Sequence, residues 1–401
     1  MTNMTKKELA KVTRARYRLA NKSVKTFMLN EFCSNTGYHR KYAIRLFNHE
    51  SKENKERAGR SKKYGAGLFV DVIIPIWELL DYPCGTRLQP ELINMAEAML
   101  RSGEIKITGE IKEQLKIISG KTLDRRLQKE IVIRRLNRSR GMTRHGTLLK
   151  SSIPIRLTEW NTQEVGFAET DTVAHNGGDP SGEFIYSLDI VEVCTGWSEQ
   201  YAVMGKGERG VVAAIDQVKK ELPFKLLGLD SDGGSEFINW HLVRYCQKEE
   251  LFFTRSRPYM KNDNAYVEQK NNTHIRKLLG YGRFDTLAQL EMINDLYRNE
   301  WRLFSNFFRP VMKIKRKEKV NNSLCHKIYD TAKTPYQRLM ESDQISEEQK
   351  AKLRELYLSL NPVQLKKIIN EKVKKIRQSG NGDSKITNVP TVRSKVRLLN
   401  V

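Results

Sequence analysis

Residues 165–204 read VGFAETDTVAHNGGDPSGEFIYSLDIVEVCTGWSEQYAVM. Three runs within this stretch, Val165–Val173, Glu183–Val193 and Trp197–Met204, are rich in β-branched and aromatic residues and short enough to be strands. The first two are separated by His175-Asn-Gly-Gly-Asp-Pro-Ser-Gly182, a turn-forming segment, so an antiparallel start to a sheet is predicted. The pattern then changes period. Glu208–Lys220 carries Val211, Val212, Ile215 and Val218 on one helical side. Phe224–Leu229 reads as a short buried strand, Ser235–Lys248 as a helix, Leu251–Thr254 as a strand, and Asn264 to Leu279 as a further helix. The order β-β-β-α-β-α-β-α predicts an α/β core with a mixed five-stranded sheet and flanking helices.

Upstream, the first 145 residues read as helical. A basic helix, Lys6–Leu19, precedes Val24–Phe32 and His39–Phe47, which are joined across Ser34-Asn-Thr-Gly37 in helix-turn-helix format. Arg40, Lys41 and Arg45 would then lie on a recognition helix facing DNA. Lys52–Tyr64 is a basic linker, and its Arg60, Lys62 and Lys63 suit minor-groove contact as a secondary reading. A second helical module runs from Phe69 to Glu130, and Lys121–Gln128 within it would present Arg125 and Arg126 to DNA. Arg134–Arg144 is another basic linker. Beyond Trp301 the chain is basic again: Val311–Val320 alternates like a small sheet, Glu347–Gln378 reads as helices interrupted at Asn361-Pro362, and the tail past Ser379 reads as loose.

The 401 residues are too many for one ordinary domain. Net charge is +24, unevenly spread: residues 146–300 hold 17 basic against 23 acidic residues, and the remainder carries a balance of +30. Basic flanks attract polyanions and release counterions, which favours a nucleic-acid partner. Five scattered cysteines without a CxxC pair argue against a disulfide framework or a cysteine zinc site and fit a reducing cytoplasm. No long apolar run or secretory signal is present, so no membrane association is expected.

Three carboxylates stand out by position. Asp171 ends the first core strand, Asp232 follows the fourth, and Glu268 sits in the first turns of the last core helix. First and fourth strands of an α/β sheet can lie side by side, with a crossover helix leaning over their ends, so the three side chains can converge. Hard oxygen ligands so gathered suit Mg²⁺ or Mn²⁺. Taken singly, each acid is better read as a turn former or a solvated side chain; the surroundings change the balance. Gly233-Gly234 permits close approach of a phosphate, Ser235 is placed as an N-cap, and Asn264 lies one turn before Glu268. Lys261, Lys270, Arg276 and Lys277 stand nearby to hold phosphates. Asp230 competes with Asp232, two residues away on the same strand. Glu169 and Asp189 are kept as supporting groups.

The segment Asp232-Gly-Gly-Ser-Glu-Phe, followed by Ser256-Arg-Pro-Tyr-Met-Lys-Asn-Asp-Asn-Ala-Tyr-Val-Glu-Gln-Lys-Asn, resembles the catalytic core of bacterial insertion-sequence DDE transposases, which is retroviral-integrase-like. Glu169-Thr-Asp-Thr-Val and Leu188-Asp-Ile-Val-Glu-Val-Cys-Thr-Gly-Trp197 extend the resemblance, and 35 residues separate Asp232 from Glu268, the spacing usual in that family. The likeness covers roughly residues 147–300. Gly233 stands where Asn is frequent and Met260 where His is frequent. The resemblance implies an RNase H-like core, selects Asp232 over Asp230, and makes Asp171, Asp232 and Glu268 both the catalytic residues and the ligands of two Mg²⁺ or Mn²⁺ ions, with Asp171 bridging. It also implies double-stranded DNA partners (terminal inverted repeats and target), 3′-end nicking and strand transfer, a homo-oligomer on DNA, and a cytoplasmic, nucleoid-associated setting. No GxxxxGK[ST] loop is present, so no nucleotide cofactor is expected.

The expected organisation is therefore 1–58 helix-turn-helix, 59–145 a second helical and DNA-binding module, 146–300 catalytic core, and 301–401 a basic C-terminal region. Two rival readings are a simple RNase H-type nuclease and a non-catalytic DNA-binding regulator.

Overall fold

The computed structural model describes residues 3–48, 64–134, 164–231, 237, 240–256, 264–319 and 325–380. The chain divides into two compact units, Met1–Gly65 and Ala66–Val401. The linkers expected at 52–64 and 134–144 fall almost wholly outside the described residues, as does the tail from 381.

The first unit is three helices: α1 (Asn3–Leu19), α2 (Lys22–Thr36) and α3 (Arg40–Asn48). Ala10, Tyr17, Met28, Leu29, Phe32, Ala43 and Phe47 form its core, with the Phe47 ring 4.9 Å from Tyr17 and 4.8 Å from Phe32. Asn21 caps α2 through Val24 N–H. Gly37 ends α2 at φ 70, a left-handed conformation that glycine adopts without penalty. Helix α2 thus runs three residues further than the turn expected at Ser34, and the connection is Gly37–His39. The Arg14 guanidinium donates to the Leu46 carbonyl at 2.7 and 3.0 Å, tying α1 to the end of α3.

The second unit opens with a π-helical segment, Leu68–Ile73, running into α4 (Ile74–Leu79), then α5 (Gly85–Arg101), α6 (Gly109–Ile117) and α7 (Gly120–Ile133). Side chains of Ile73, Ile76, Trp77, Leu88, Leu92 and Met95 are fully buried between these helices. Helices α5 and α7 meet backbone to backbone at Gly85 and Gly120, where a Cβ on Gly85 would lie 2.0 Å from the Gly120 carbonyl oxygen. Asp124 on α7 accepts the Gly85 N–H at 2.6 Å.

Five strands follow: β1 (Phe167–Ala174), β2 (Ile185–Glu192), β3 (Ser198–Met204), β4 (Gly228–Ser231) and β5 (Phe252–Arg255), in sheet order β3-β2-β1-β4-β5. The first three pair antiparallel, and β1–β4 and β4–β5 pair parallel. With α8 (Glu208–Glu221), α9 (Trp240–Lys248) and α10 (Ala265–Lys270) after β3, β4 and β5, this is an α/β, RNase H-like core. The first and fourth strands are neighbours, as their order suggested. One expectation is corrected: the fourth strand is Gly228–Ser231 rather than Phe224–Leu229. Phe224 and Leu226 are buried in the connection that leads into it, and the strand itself accommodates the buried Asp230, which accepts from Thr254 Oγ1 at 2.5 Å.

One sheet face is apolar. Ala168, Leu188, Ile190 and Val203 pack there against Val211, Ala214, Ile215 and Val218 of α8 and Leu242 and Cys246 of α9. The other face is covered by the last core helix and by α12 (Leu287–Leu296) and α13 (Arg302–Phe308), joined through a π-helical segment, Tyr297–Trp301. That last core helix is α10, a π-helical segment Asn271–Arg276, and α11 (Lys277–Leu279) in unbroken succession. The outer edge of β3 is closed by side chains. Asn306 accepts Ser198 N–H and donates to Ser198 O, and Asn294 does the same at Ala202, all at 2.7–3.0 Å.

Past the core, β6 (Ile314–Lys319) and β7 (Cys325–Tyr329) form the small sheet, followed by α14 (Pro335–Glu341), α15 (Glu347–Ser359) and α16 (Pro362–Ser379). Asn361 caps α16 by accepting Val363 and Gln364 N–H, the reason for the break at Asn361-Pro362. Helix α16 packs on α4, α5, α11 and α12. Lys366 pairs with Asp81 at 2.6 Å, and Arg377 donates to the carbonyls of Lys277 and Leu278 at the end of α11. No helix among the described residues is long and apolar enough to cross a membrane.

Candidate active site

Strand alternation puts Glu169 and Asp171 of β1 on one side of the sheet. Asp171 lies opposite Asp189 of β2. Its Oδ1 accepts Thr172 N–H at 2.7 Å and its Oδ2 accepts Asn271 Nδ2 at 2.6 Å. Glu169 is buried and its Oε2 accepts the backbone N–H groups of Tyr266 (2.9 Å) and Val267 (3.1 Å), the opening turn of α10. Glu268 is exposed on that helix, between the two points at which β1 holds it. Asn271 follows Glu268 by three residues, so the two share a helical face. The strand and helix are thereby fastened on either side of Glu268 in the chain.

The parallel register aligns Ser231, the last residue of β4, with Thr170, one residue before Asp171. Asp232 comes next in the chain but lies outside the described residues, with Gly233, Gly234 and Ser235. Asp230 is fully buried on the strand and is occupied with Thr254. Among the described residues no three His, Cys, Asp or Glu side chains gather into a metal-binding group.

Beneath Asp171 the sheet face carries an interior polar layer that the sequence reading did not anticipate. Asp189 is fully buried, accepts Gln200 Nε2 at 2.8 Å, and has its pKa pushed up to about 7 by burial, against the pull of Gln200 and Lys270. Lys270 Nζ lies 3.3 Å from His274 Nε2, and burial draws the Lys270 pKa down to about 7. Ser187 Oγ joins His175 Nε2 and Tyr297 Oη, each at 2.8 Å, and burial lowers the His175 pKa to about 3.

The residues expected to meet DNA fall into four groups. Arg40, Lys41, Arg45, Arg125 and Lys277 are exposed on α3, α7 and α11. Arg126 lies over the Phe69 ring at 4.5 Å and Arg276 over the Tyr281 ring at 5.2 Å, both half-buried. Lys270, which was expected to hold phosphate, and Asn264, which was expected to meet DNA, are buried, 6% and 7% exposed. Asn264 Nδ2 reaches Ser256 Oγ at 3.5 Å. Lys270 is two residues from Glu268, about 200° round the helix, so it faces the interior when Glu268 faces solvent. Arg60, Lys62, Lys63 and Lys261 lie outside the described residues.

The chain is 34% identical over 319 residues to the uncharacterized protein y4rM of Sinorhizobium fredii (strain NBRC 101917 / NGR234), a match spanning 79% of this chain and 90% of that protein. No family model matches the chain. Among solved structures it is similar to the catalytic core domain of BIV integrase (16% identity, 43% of this chain and 91% of that one, TM-score 0.29). It is also similar to the HTLV-2 integrase catalytic core domain in complex with magnesium, in its dimeric form (16% identity, 36% and 88%, TM-score 0.27).

Proposed function

We propose that this chain, which belongs to the family of the Sinorhizobium fredii protein y4rM, is a DDE-type insertion-sequence transposase. It would bind the element's terminal inverted repeats, nick their 3′ ends and join them to target DNA. The observation that carries the reading is the fastening of β1 to the last core helix by Glu169 and Asp171, with Glu268 between the two attachment points.

The donor chemistry fits a hard divalent cation. Asp171 and Glu268 are carboxylates on joined elements, Asp171 is oriented by the Asn271 amide, and Asn271 Oδ1 is a buried oxygen that accepts no hydrogen bond. Asp232 is the proposed third ligand by its place after β4. Two Mg²⁺ or Mn²⁺ ions held there supply Lewis acidity to a water or 3′-hydroxyl nucleophile and to the leaving 3′-oxygen. The protein's share is placement: the sheet fixes Asp171, the helix fixes Glu268, and the basic surfaces hold the duplex. Exposed Arg40, Lys41 and Arg45 on α3 and Arg125 on α7 are the proposed DNA contacts among the described residues. Holding two ends for joining calls for a homo-oligomer on DNA, in the cytoplasm at the nucleoid.

The test is strand transfer of a labelled duplex bearing the parent element's terminal repeat, in Mg²⁺ or Mn²⁺. Wild type is compared with Asp171→Asn, Asp232→Asn and Glu268→Gln. Joined products are expected from wild type and from none of the three variants, with duplex binding retained throughout. Binding without cleavage by wild type would make the chain a regulator, hydrolysis without joining a nuclease, and joining by any variant would displace that residue from the site.

A further inference from the structure

The opening N–H groups of a helix have no partner within it, and a side chain at the N-cap normally takes one of them. Helix α10 departs from this. Its N-cap residue is Asn264, whose side chain makes no capping hydrogen bond. The opening N–H groups of Tyr266 and Val267 are taken instead by Glu169, 97 and 98 residues earlier in the chain and on a different element. Glu169 is 1% exposed, so its carboxylate is held in place by packing. A carboxylate at a helix N-terminus also meets the positive end of the helix dipole. Two residues along the same strand, Asp171 takes the Asn271 amide at 2.6 Å. One strand therefore grips one helix at two successive turns, and Glu268 lies between the grips.

We infer that Glu169 is a positioning residue for the active site, setting where Glu268 stands relative to Asp171 by fixing the first turn of α10 to β1. The inference rests on the transposase reading for its catalytic consequence, whereas its structural half stands alone. Packing of α11 under α16 holds the far end of the helix, and Glu169 holds its opening turn. Without it the first turn frays and the Glu268 carboxylate samples positions away from Asp171, while the DNA-binding surfaces on α3 and α7 are untouched.

The test uses the full chain with three substitutions. Glu169→Gln retains an oxygen that accepts both N–H groups. Glu169→Asp keeps the charge and draws it back by one methylene. Glu169→Ala removes the acceptor. Backbone amide exchange at residues 266–268 is followed beside strand-transfer rate and duplex affinity. For Asp and Ala the exchange is expected to quicken roughly two- to thirtyfold, as for a lost cap, and transfer to slow roughly 10- to 100-fold, as for lost support of a metal ligand. Duplex affinity should be unchanged, and Gln should recover most of both losses. If Ala does not fold, Asp against Gln carries the same comparison. Unchanged exchange in Asp and Ala overturns the inference. So does a Gln variant as slow in transfer as Ala, which would make the charge at Glu169, rather than its grip on α10, the thing that matters. Failure of transfer in wild type would sink the transposase reading, while the exchange comparison would still decide whether Glu169 fixes the helix.

Discussion

Glu91 lies on α5 in the interior of the second unit, 3% exposed, where Asn94 and Gln337 of α14 are its hydrogen-bond partners. Burial raises its pKa from the ordinary 4.5 to about 7, since these two neutral amides lower it by less than desolvation raises it. The raised pKa means that the folded state prefers the neutral acid. Its contribution is fully present below about pH 4.5 and is lost as pH rises through about 7. At about 1.36 kcal/mol per unit, the loss reaches about 3 kcal/mol at pH 8. Glu91→Gln keeps the shape and the hydrogen bonds and removes the ionisation. Urea unfolding of wild type and variant should therefore agree near pH 4 and separate with rising pH, the variant becoming about 3 kcal/mol more stable by pH 8. Other buried groups, Asp189 and Lys270 among them, titrate in the same range, but they are common to both proteins and cancel in the difference. A pH-independent difference would refute the reasoning, and a variant less stable at pH 8 would mean that the ionised carboxylate is welcomed at that site.

Two further predictions concern packing. Gly85→Ala places a methyl 2.0 Å from the Gly120 carbonyl oxygen, so α5 and α7 must separate, at a cost of about 1–3 kcal/mol or more. Gly210→Ala on α8 meets nothing within 4 Å and should stabilise by roughly 0.5–1 kcal/mol; thermal melts that fail to move the two variants in opposite directions would undo this account. Asn306→Ala strips the partners from the Ser198 N–H and carbonyl on the β3 edge and should cost about 1–3 kcal/mol per orphaned group, measured by urea unfolding, with an unaltered midpoint as the contrary result.

Four of the five core strands were legible because their residues form short runs rich in β-branched and aromatic side chains. Element order allowed β1 and β4 to lie side by side, and the parallel pairing places them so. The fourth strand was misplaced for a physical reason: Phe224 and Leu226 form the more apolar run, yet they fill the connection, and the strand contains the buried Asp230, which takes a tertiary hydrogen bond from Thr254. Lys270 was expected to hold phosphate from its place near Glu268, whereas the fold buries it on the side of the helix opposite the exposed Glu268. Glu169 was marked as a supporting group near Asp171, but its grip on Tyr266 and Val267 joins residues nearly a hundred positions apart, and no local pattern records such a contact. The same holds for the bonds of Asn294 to Ala202 and of Asn306 to Ser198, which join residues 92 and 108 positions apart.

The π-helical segment Asn271–Arg276 is, in effect, a phase shifter in the last core helix. An α-helix turns about 100° per residue, so the wider turn sets the face of the helix ahead of it out of step with the face behind it. Behind it, Leu278 and Leu279 are committed to the interior, and Arg377 locks the carbonyl end. Ahead of it, Glu268 points outward. Loss of one residue from the segment would change the phase between its two ends by about 100°, so the apolar seats behind it and the Glu169 and Asp171 contacts ahead of it could not both be kept. The chain length of this short stretch is therefore as much a determinant of the site as the identity of the acid it aims.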